Sequence, residues 1–342
     1  MRLRRLLAAS MPMSLLVLAA CGGDDGTDEG IDDSKLVVYS GRQEALVQPI
    51  IDDFEDETGI EVSVRYGNTA QLAAQILEEG DRTPADVYFS QDGGALGALA
   101  KEGMLAELPG DLLDTVDAQY RAEDGSWIGT SGRARVIVYD PGQLTEDEVP
   151  DSVFELTDPQ WKGKVGVSPS NASFEAFVTA LRVLEGDDVA REWLEGMVAN
   201  EVQRFDNNVL ILNAAEDGVV AVGLINHYYW YEQVAEEGLD AVPARLKFLP
   251  GGDPGALVNV AGVGVLSATD RDDDAVRFAE YLLGENAQTY FAQETKEYPL
   301  VEGIPIADDL PPLDSLQTPD IDLSDLDTLE ETLQMIEEAG LT

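Results

Sequence analysis

The chain has 342 residues, with 67 acidic side chains against 21 basic ones and a formal charge of −46 at pH 7. A surface this negative repels nucleic-acid phosphates and anionic lipid headgroups, which argues against a nucleic-acid binder. Hydrophobic residues make up 44%, enough for a core, so the charge belongs to a folded surface and not to general disorder. The length suits about two domains. Only six of the bases are Lys, a balance suited to high-salt surroundings.

Residues 1–21 read as a lipoprotein signal peptide. Arg2, Arg4 and Arg5 form its charged start, and Leu6 to Ala20 its apolar stretch. That stretch is short for a membrane span, which needs about 20 apolar residues. It ends in Leu18-Ala19-Ala20-Cys21, which looks like a bacterial lipobox in which Cys21 is acylated and becomes the first mature residue. Cys21 is the only cysteine, so no internal disulfide forms. Residues 22–34 are acidic and glycine-bearing, the composition of a disordered tether. The sequence predicts an extracytoplasmic protein held at the cell membrane by its lipid anchor alone.

From Leu36 onward, short β-rich runs alternate with helical patterns, which predicts α/β layering. Leu36–Tyr39 is a buried strand. Val47, Ile50, Ile51 and Phe54 then repeat at helical spacing until Gly59, with a start near Glu44 because Pro49 is tolerated only early in a helix. Val62, Val64 and Tyr66 alternate as a strand, and Asn68 or Thr69 caps a helix that Gly80 stops. Asp86–Phe89 is a strand, followed by a helix over Gly94–Glu102. A second set begins with the strand Val136–Tyr139. Helices follow over Phe174–Glu185, Val189–Val198 and Leu210–Glu216, then the strand Val219–Ile225 and a helix over His227–Glu237. After a strand near Arg245–Phe248, Val258–Leu266 is suited to crossing between lobes. Helices over Asp273–Leu283 and Glu285–Gln293 precede a Pro-rich stretch and a terminal acidic helix. Two doubly wound lobes with a cleft between them are expected.

Enzyme signatures are missing. The chain has one histidine, His227, and lacks GxSxG, GK[ST] and HExxH motifs. Carboxylate pairs carry no information among 67 acids. The unusual cluster is Asn226-His227-Tyr228-Tyr229-Trp230-Tyr231, placed after a strand and opening a helix, where open α/β sheets bind ligands. Adjacent helical residues point about 100° apart, so one phenol at least leaves the packing face. Aromatic packing alone is the competing account of these rings.

At this cluster the chain resembles the bacterial ferric-iron-binding proteins of ABC importers, which carry Asn-Asn-Tyr-Tyr-Trp after a strand. The resemblance continues in order through Val38-Tyr39-Ser40-Gly41-Arg42, Thr83 to Phe89, Ser131 to Val136, Tyr139-Asp140, Trp161 to Gly166 and Glu297-Tyr298-Pro299-Leu300. It implies a two-lobed, type II periplasmic-binding-protein (Venus-flytrap) fold with two crossover strands. The lobes are expected over residues 35–132 plus 258–290 and residues 133–257 plus 291–342. It also implies a monomer that is not an enzyme and that delivers Fe³⁺ to an ABC permease and its ATPase.

The same resemblance implies that Tyr228 and Tyr229 ligate Fe³⁺ as phenolates and that Tyr139 is a third tyrosine ligand, with a rim role as its alternative. Fe³⁺ is a hard ion that prefers anionic oxygen, and it must itself displace a phenol proton that is otherwise lost near ~10. Where relatives place a histidine and a glutamate, this chain has Gln43 and Gln91, neither a good Fe³⁺ ligand; Glu44 is adjacent. A small anion such as carbonate is then expected to complete the site. Arg42 and Arg133 are candidates to neutralise it. Ser170, Asn171, Asn208 and Asn226 are candidates to surround it, and Ser173 is either part of that loop or a helix cap. Two other functions compete: the same fold binding an organic solute such as thiamine, a polyamine, an organophosphonate or a sugar phosphate, and a hydrolase using His227 as base.

Overall fold

The computed structural model describes residues 31–341. The elements run β1 (Leu36–Ser40), α1 (Glu44–Thr58), β2 (Val62–Tyr66), α2 (Thr69–Glu79), β3 (Val87–Ser90), α3 (Gly93–Lys101), α4 (Gly110–Leu113) and β4 (Ile128–Tyr139). Next come β5 (Val165–Val167), α5 (Ala172–Glu185), α6 (Asp187–Ala199), β6 (Gln203–Arg204), α7 (Asn208–Glu216), β7 (Val222–Asn226) and α8 (Tyr228–Glu237). The chain closes with β8 (Arg245–Lys247), β9 (Val258–Val265), α9 (Asp272–Leu282), α10 (Glu285–Gln293), β10 (Tyr298–Pro299) and α11 (Leu329–Glu338). None of the described helices is long and apolar enough to cross a membrane.

Several boundaries follow from single residues. Gly59 takes φ 74° and returns its N–H to Glu55, closing α1. The Asn68 side chain accepts from the Gln71 N–H and opens α2. β1 and β3 are apolar at nearly every position because helices cover both faces of that sheet, whereas edge strand β2 is only half-buried.

The strand order is β2-β1-β3-β9-β4-β7-β5-β6, with β8 and β10 also paired to β4. β4 joins two sheets. Its residues Ile128–Ala134 pair with β9, and Arg135–Tyr139 pair with β7. One strand therefore serves each lobe with half its length, and the chain passes between lobes at Ala134/Arg135. The strand begins eight residues earlier than the expected Val136.

The tail divides differently from the expected assignment of residues 291–342 to the second lobe. β10 pairs with Ser131 and Gly132 of β4 in the first sheet. Residues Leu323–Asp327 lie on α3, where a Cβ at Gly94 or Gly97 would overlap the backbone oxygens of Leu326 and Ser324. The Asp309 carbonyl and the Gln317 side chain bond to Tyr231 and Gly251 of the second lobe, and α11 docks there too, where Thr332 meets Thr179 at 2.8 Å and accepts from Arg182. The expected leader and Cys21 lie outside the described residues.

Candidate metal centre

β7 runs directly into α8 through His227, whose backbone is already helical. Tyr228 and Tyr229 occupy the first turn, where side chains lean back over the helix N-terminus. Their ring centroids lie 4.2 Å apart at 33°. Burial pushes the Tyr228 phenol well above its ordinary value, Tyr229 adds to this, and the Arg133 charge pulls it back. The rest of the cluster is packing. Trp230 donates to the Ala244 carbonyl at 2.8 Å, and the Tyr231 hydroxyl to that of Asp309 at 2.9 Å.

Two arginines of β4 face this pair. Arg133 and Arg135 are alternate strand residues and so lie on one face. The charge of Arg133 bears on Tyr228, and that of Arg135 on Tyr229. Both guanidinium groups are buried, which pushes their pKa values down, and each retains an Nε without a hydrogen-bond partner. Arg135 Nη1 donates to the Ser173 carbonyl at 3.1 Å and hydroxyl at 3.2 Å, while its plane lies over Phe174 and Phe177. Asn208 donates to the Ser173 hydroxyl at 3.0 Å and to Asn171 at 3.3 Å. Asn171, not Ser173, caps α5, accepting from both the backbone and the hydroxyl of Ser173. Asn226 is buried at the end of β7 as the register partner of Arg135. The buried Asn208 Oδ1 and Ser168 Oγ have no partner, so polar capacity remains in this wall.

Three expected residues are placed elsewhere. Tyr139 pairs with Val222, at the opposite end of β7 from Asn226. Four residues of strand put it about 13 Å from the tyrosine turn. Its ring belongs to the core with Val149, Val153 and Leu156, and burial pushes its phenol up. Arg42 is fully buried and closed by a two-point ion pair to Glu297, at 3.0 and 2.8 Å, with a further bond to Gln91. Both its Nη atoms are thus committed, and only Nε is left without a partner. Ser170 is exposed on the turn before α5, as are Gln43 and Glu44 at the start of α1.

The facing wall was less legible. Glu297 also accepts from Ser131 at 2.8 Å and lies 3.9 Å from Arg133 Nε, and Arg133 donates to the Gln91 carbonyl. Burial opposes ionisation of Glu297, yet Arg42 and Arg133 hold its carboxyl below the usual range. Asp92 caps α3 and lies in the field of Arg133, while Glu175 of α5 feels Asp92 across the cleft. Burial raises both of these carboxyls. Sequence reasoning missed Arg135, Asp92, Glu175 and Glu297. For Arg135 a signal existed, since Arg133-Ala134-Arg135 places two cations on one face of a strand.

His227 is neutral. Burial drives its pKa down to about 4, and both ring nitrogens are occupied, by the Ala134 N–H and the Lys296 carbonyl. This removes the base on which the hydrolase reading depended.

Two lobes sharing crossover strands, with polar groups converging between them, define a binding protein of the periplasmic type. The bacterial extracellular solute-binding protein family matches over residues 82–325, and the chain belongs to it. The Fe(3+)-binding periplasmic protein of Serratia marcescens is 33% identical over 98% of this chain and 96% of its own length. Among solved structures, iron-bound HitA from Pseudomonas aeruginosa superposes with a TM-score of 0.82 at 36% identity, covering 90% of this chain and 99% of that one. The Trichodesmium protein IdiA (FutA), solved with iron and citrate, gives 0.77 at 27% identity, covering 90% and 100%. These relatives are solute-binding proteins and not enzymes.

Proposed function

We propose that this chain captures ferric iron outside the cytoplasm and delivers it to an ABC permease and its ATPase. The observation that carries the reading is the pair of touching phenols, each facing its own buried arginine. Two phenolates leave one positive charge on Fe³⁺, and Arg135 adds another without any carboxylate beside it. A small dianion such as carbonate balances both, held by Arg135, Ser173 and Asn208. Arg133 is partly neutralised by Glu297 and serves mainly to stabilise the Tyr228 phenolate.

The site lies mostly in the second lobe, so the first lobe closes over bound metal and does not provide the main ligands. The relatives named above support iron as the cargo. The lipid anchor at Cys21 rests on the lipobox, and Cys21→Ser is expected to move the protein from membrane to soluble fraction.

Metal analysis with a visible spectrum of the purified protein tests the central statement. Loading with Fe³⁺ is expected to give one iron per chain and a tyrosinate charge-transfer band that colours the protein. A colourless protein with no iron at saturation overturns the reading and favours an organic solute stacked on the rings.

A further inference from the structure

His227 is the only histidine in the chain, and solvent does not reach it. Its surroundings ask more of it than packing. The β4–β7 ladder runs from Tyr139/Val222 to Arg135/Asn226 and stops where α8 begins. The Ala134 N–H would then be buried without a strand to receive it, and such groups need a partner. The His227 ring meets that need: Nδ1 accepts from the Ala134 N–H at 3.1 Å, while the His227 N–H donates to the Ala134 carbonyl at 2.9 Å. One rung of the ladder is thus completed by a side chain.

The other nitrogen reaches the first lobe. Nε2 lies 3.0 Å from the carbonyl of Lys296, and with Nδ1 accepting, Nε2 carries the proton and donates it. Lys296 has φ 56°, a conformation a non-glycine residue holds only where its surroundings fix it. The next residue, Glu297, is pinned by Arg42 and Ser131. The imidazole also lies 4.7 Å from the Tyr298 ring at 32°. A phenyl ring in its place could keep that packing but neither hydrogen bond.

We propose that His227 is a positioning residue, tying the tyrosine turn to the crossover strand and to the Lys296–Glu297 segment of the other lobe. It thereby fixes where the Tyr228 and Tyr229 oxygens stand relative to the ion-paired wall that closes on them. This inference rests on the ferric reading, since it concerns the aim of those phenols.

The test begins without metal. In the untagged, ¹⁵N-labelled protein the one imidazole gives one spin system, and the neutral Nε2–H tautomer is expected. An Nδ1–H tautomer overturns the proposal. Fe³⁺ is then titrated against citrate into wild type, His227→Phe and His227→Asn. His227→Phe is expected to weaken iron binding on the order of 10-fold and to shift the charge-transfer band, because the tyrosine turn loses both of its ties. His227→Asn, whose amide can both accept and donate, is expected to recover most of each. A His227→Phe protein with wild-type affinity and colour, and only a lower Tm, shows that the ring does nothing but pack and overturns the proposal. If His227→Phe does not fold, the tautomer and the Asn variant decide: an Asn variant that folds but does no better than a 10-fold loss overturns the proposal. A wild type that takes up no Fe³⁺ defeats the ferric reading, whereas the tautomer alone decides whether the tie to Lys296 exists.

Discussion

On the first-lobe side of the cleft, Arg42 meets Glu297 in a two-point ion pair at 2.8 and 3.0 Å. On the second-lobe side, Arg135 is equally buried, but its described hydrogen-bond partners are the Ser173 carbonyl and hydroxyl and the Leu224 carbonyl, with two aromatic rings beneath it. A buried charge with its own counter-charge is finished, and removing either partner damages the fold. A buried charge given only dipoles and rings has capacity left for an incoming anion. Both arginines are buried and flank one cleft, so burial alone does not separate structural from binding roles; the partner does.

The sharpest way to break this contrast is at the phenols. Tyr228→Phe or Tyr229→Phe keeps the ring and its packing. Each is expected to weaken Fe³⁺ binding by at least about 100-fold and to alter or abolish the colour, with Tm nearly unchanged, as read by citrate competition and absorbance. In the wild type each phenol proton displaced by iron makes affinity fall about tenfold per pH unit on acidification. Two protons give a slope near two decades per unit, and a flat profile would refute phenolate ligation.

At Glu297 the expected damage is to stability. Glu297→Gln leaves Arg42 buried without its counter-charge and is expected to cost about 3–5 kcal/mol at pH 7 in denaturant unfolding. The folded carboxyl is held below its unfolded value, so its contribution is present above about pH 4.5 and is lost as pH falls through the depressed value. The gap between variant and wild type should narrow there. Arg135→Gln is expected to act oppositely, weakening iron uptake about tenfold in bicarbonate while changing stability less than Glu297→Gln.

Glu232 gives a smaller effect of the reverse sign. Burial first, then Glu297 and Glu236, push its carboxyl up to about 7. An acid whose folded value is raised stabilises the fold only while protonated, so that benefit fades as pH rises from about 4.5 to about 7. Glu232→Gln is expected to raise Tm above pH 7 and to match wild type at pH 4. At the end of the scale, Tyr139→Phe should leave iron affinity and spectrum untouched, and any spectral change would return Tyr139 to the ligand set.

Local signals carried most of the fold. Gly59, Asn68 and Gly80 mark helix ends through their own backbone preferences, so α1 and α2 were legible to within a residue. The tyrosine turn was legible too, because a run of four aromatics after a buried strand is locally unusual. Tyr139 misled because a strand end was read without the strand's direction. β4 and β7 are antiparallel, so the end of one lies beside the start of the other. Arg42 misled because its partner is 255 residues away, and no local pattern announces a pairing at that separation.

The glycine face of α3 bears on the order in which the chain can fold. Gly94 and Gly97 leave a trough that only residues 324–326 fill, and Trp127 waits for Ser324 across 197 residues of sequence. Lys101 likewise finds Asp325 and Asp327 only in the tail. Contacts this distant close late and slow folding. The lobe that is translated first cannot cover the glycine face of its third helix until residues 324–326 are present. That face of the lobe is therefore expected to be completed late, by the tail.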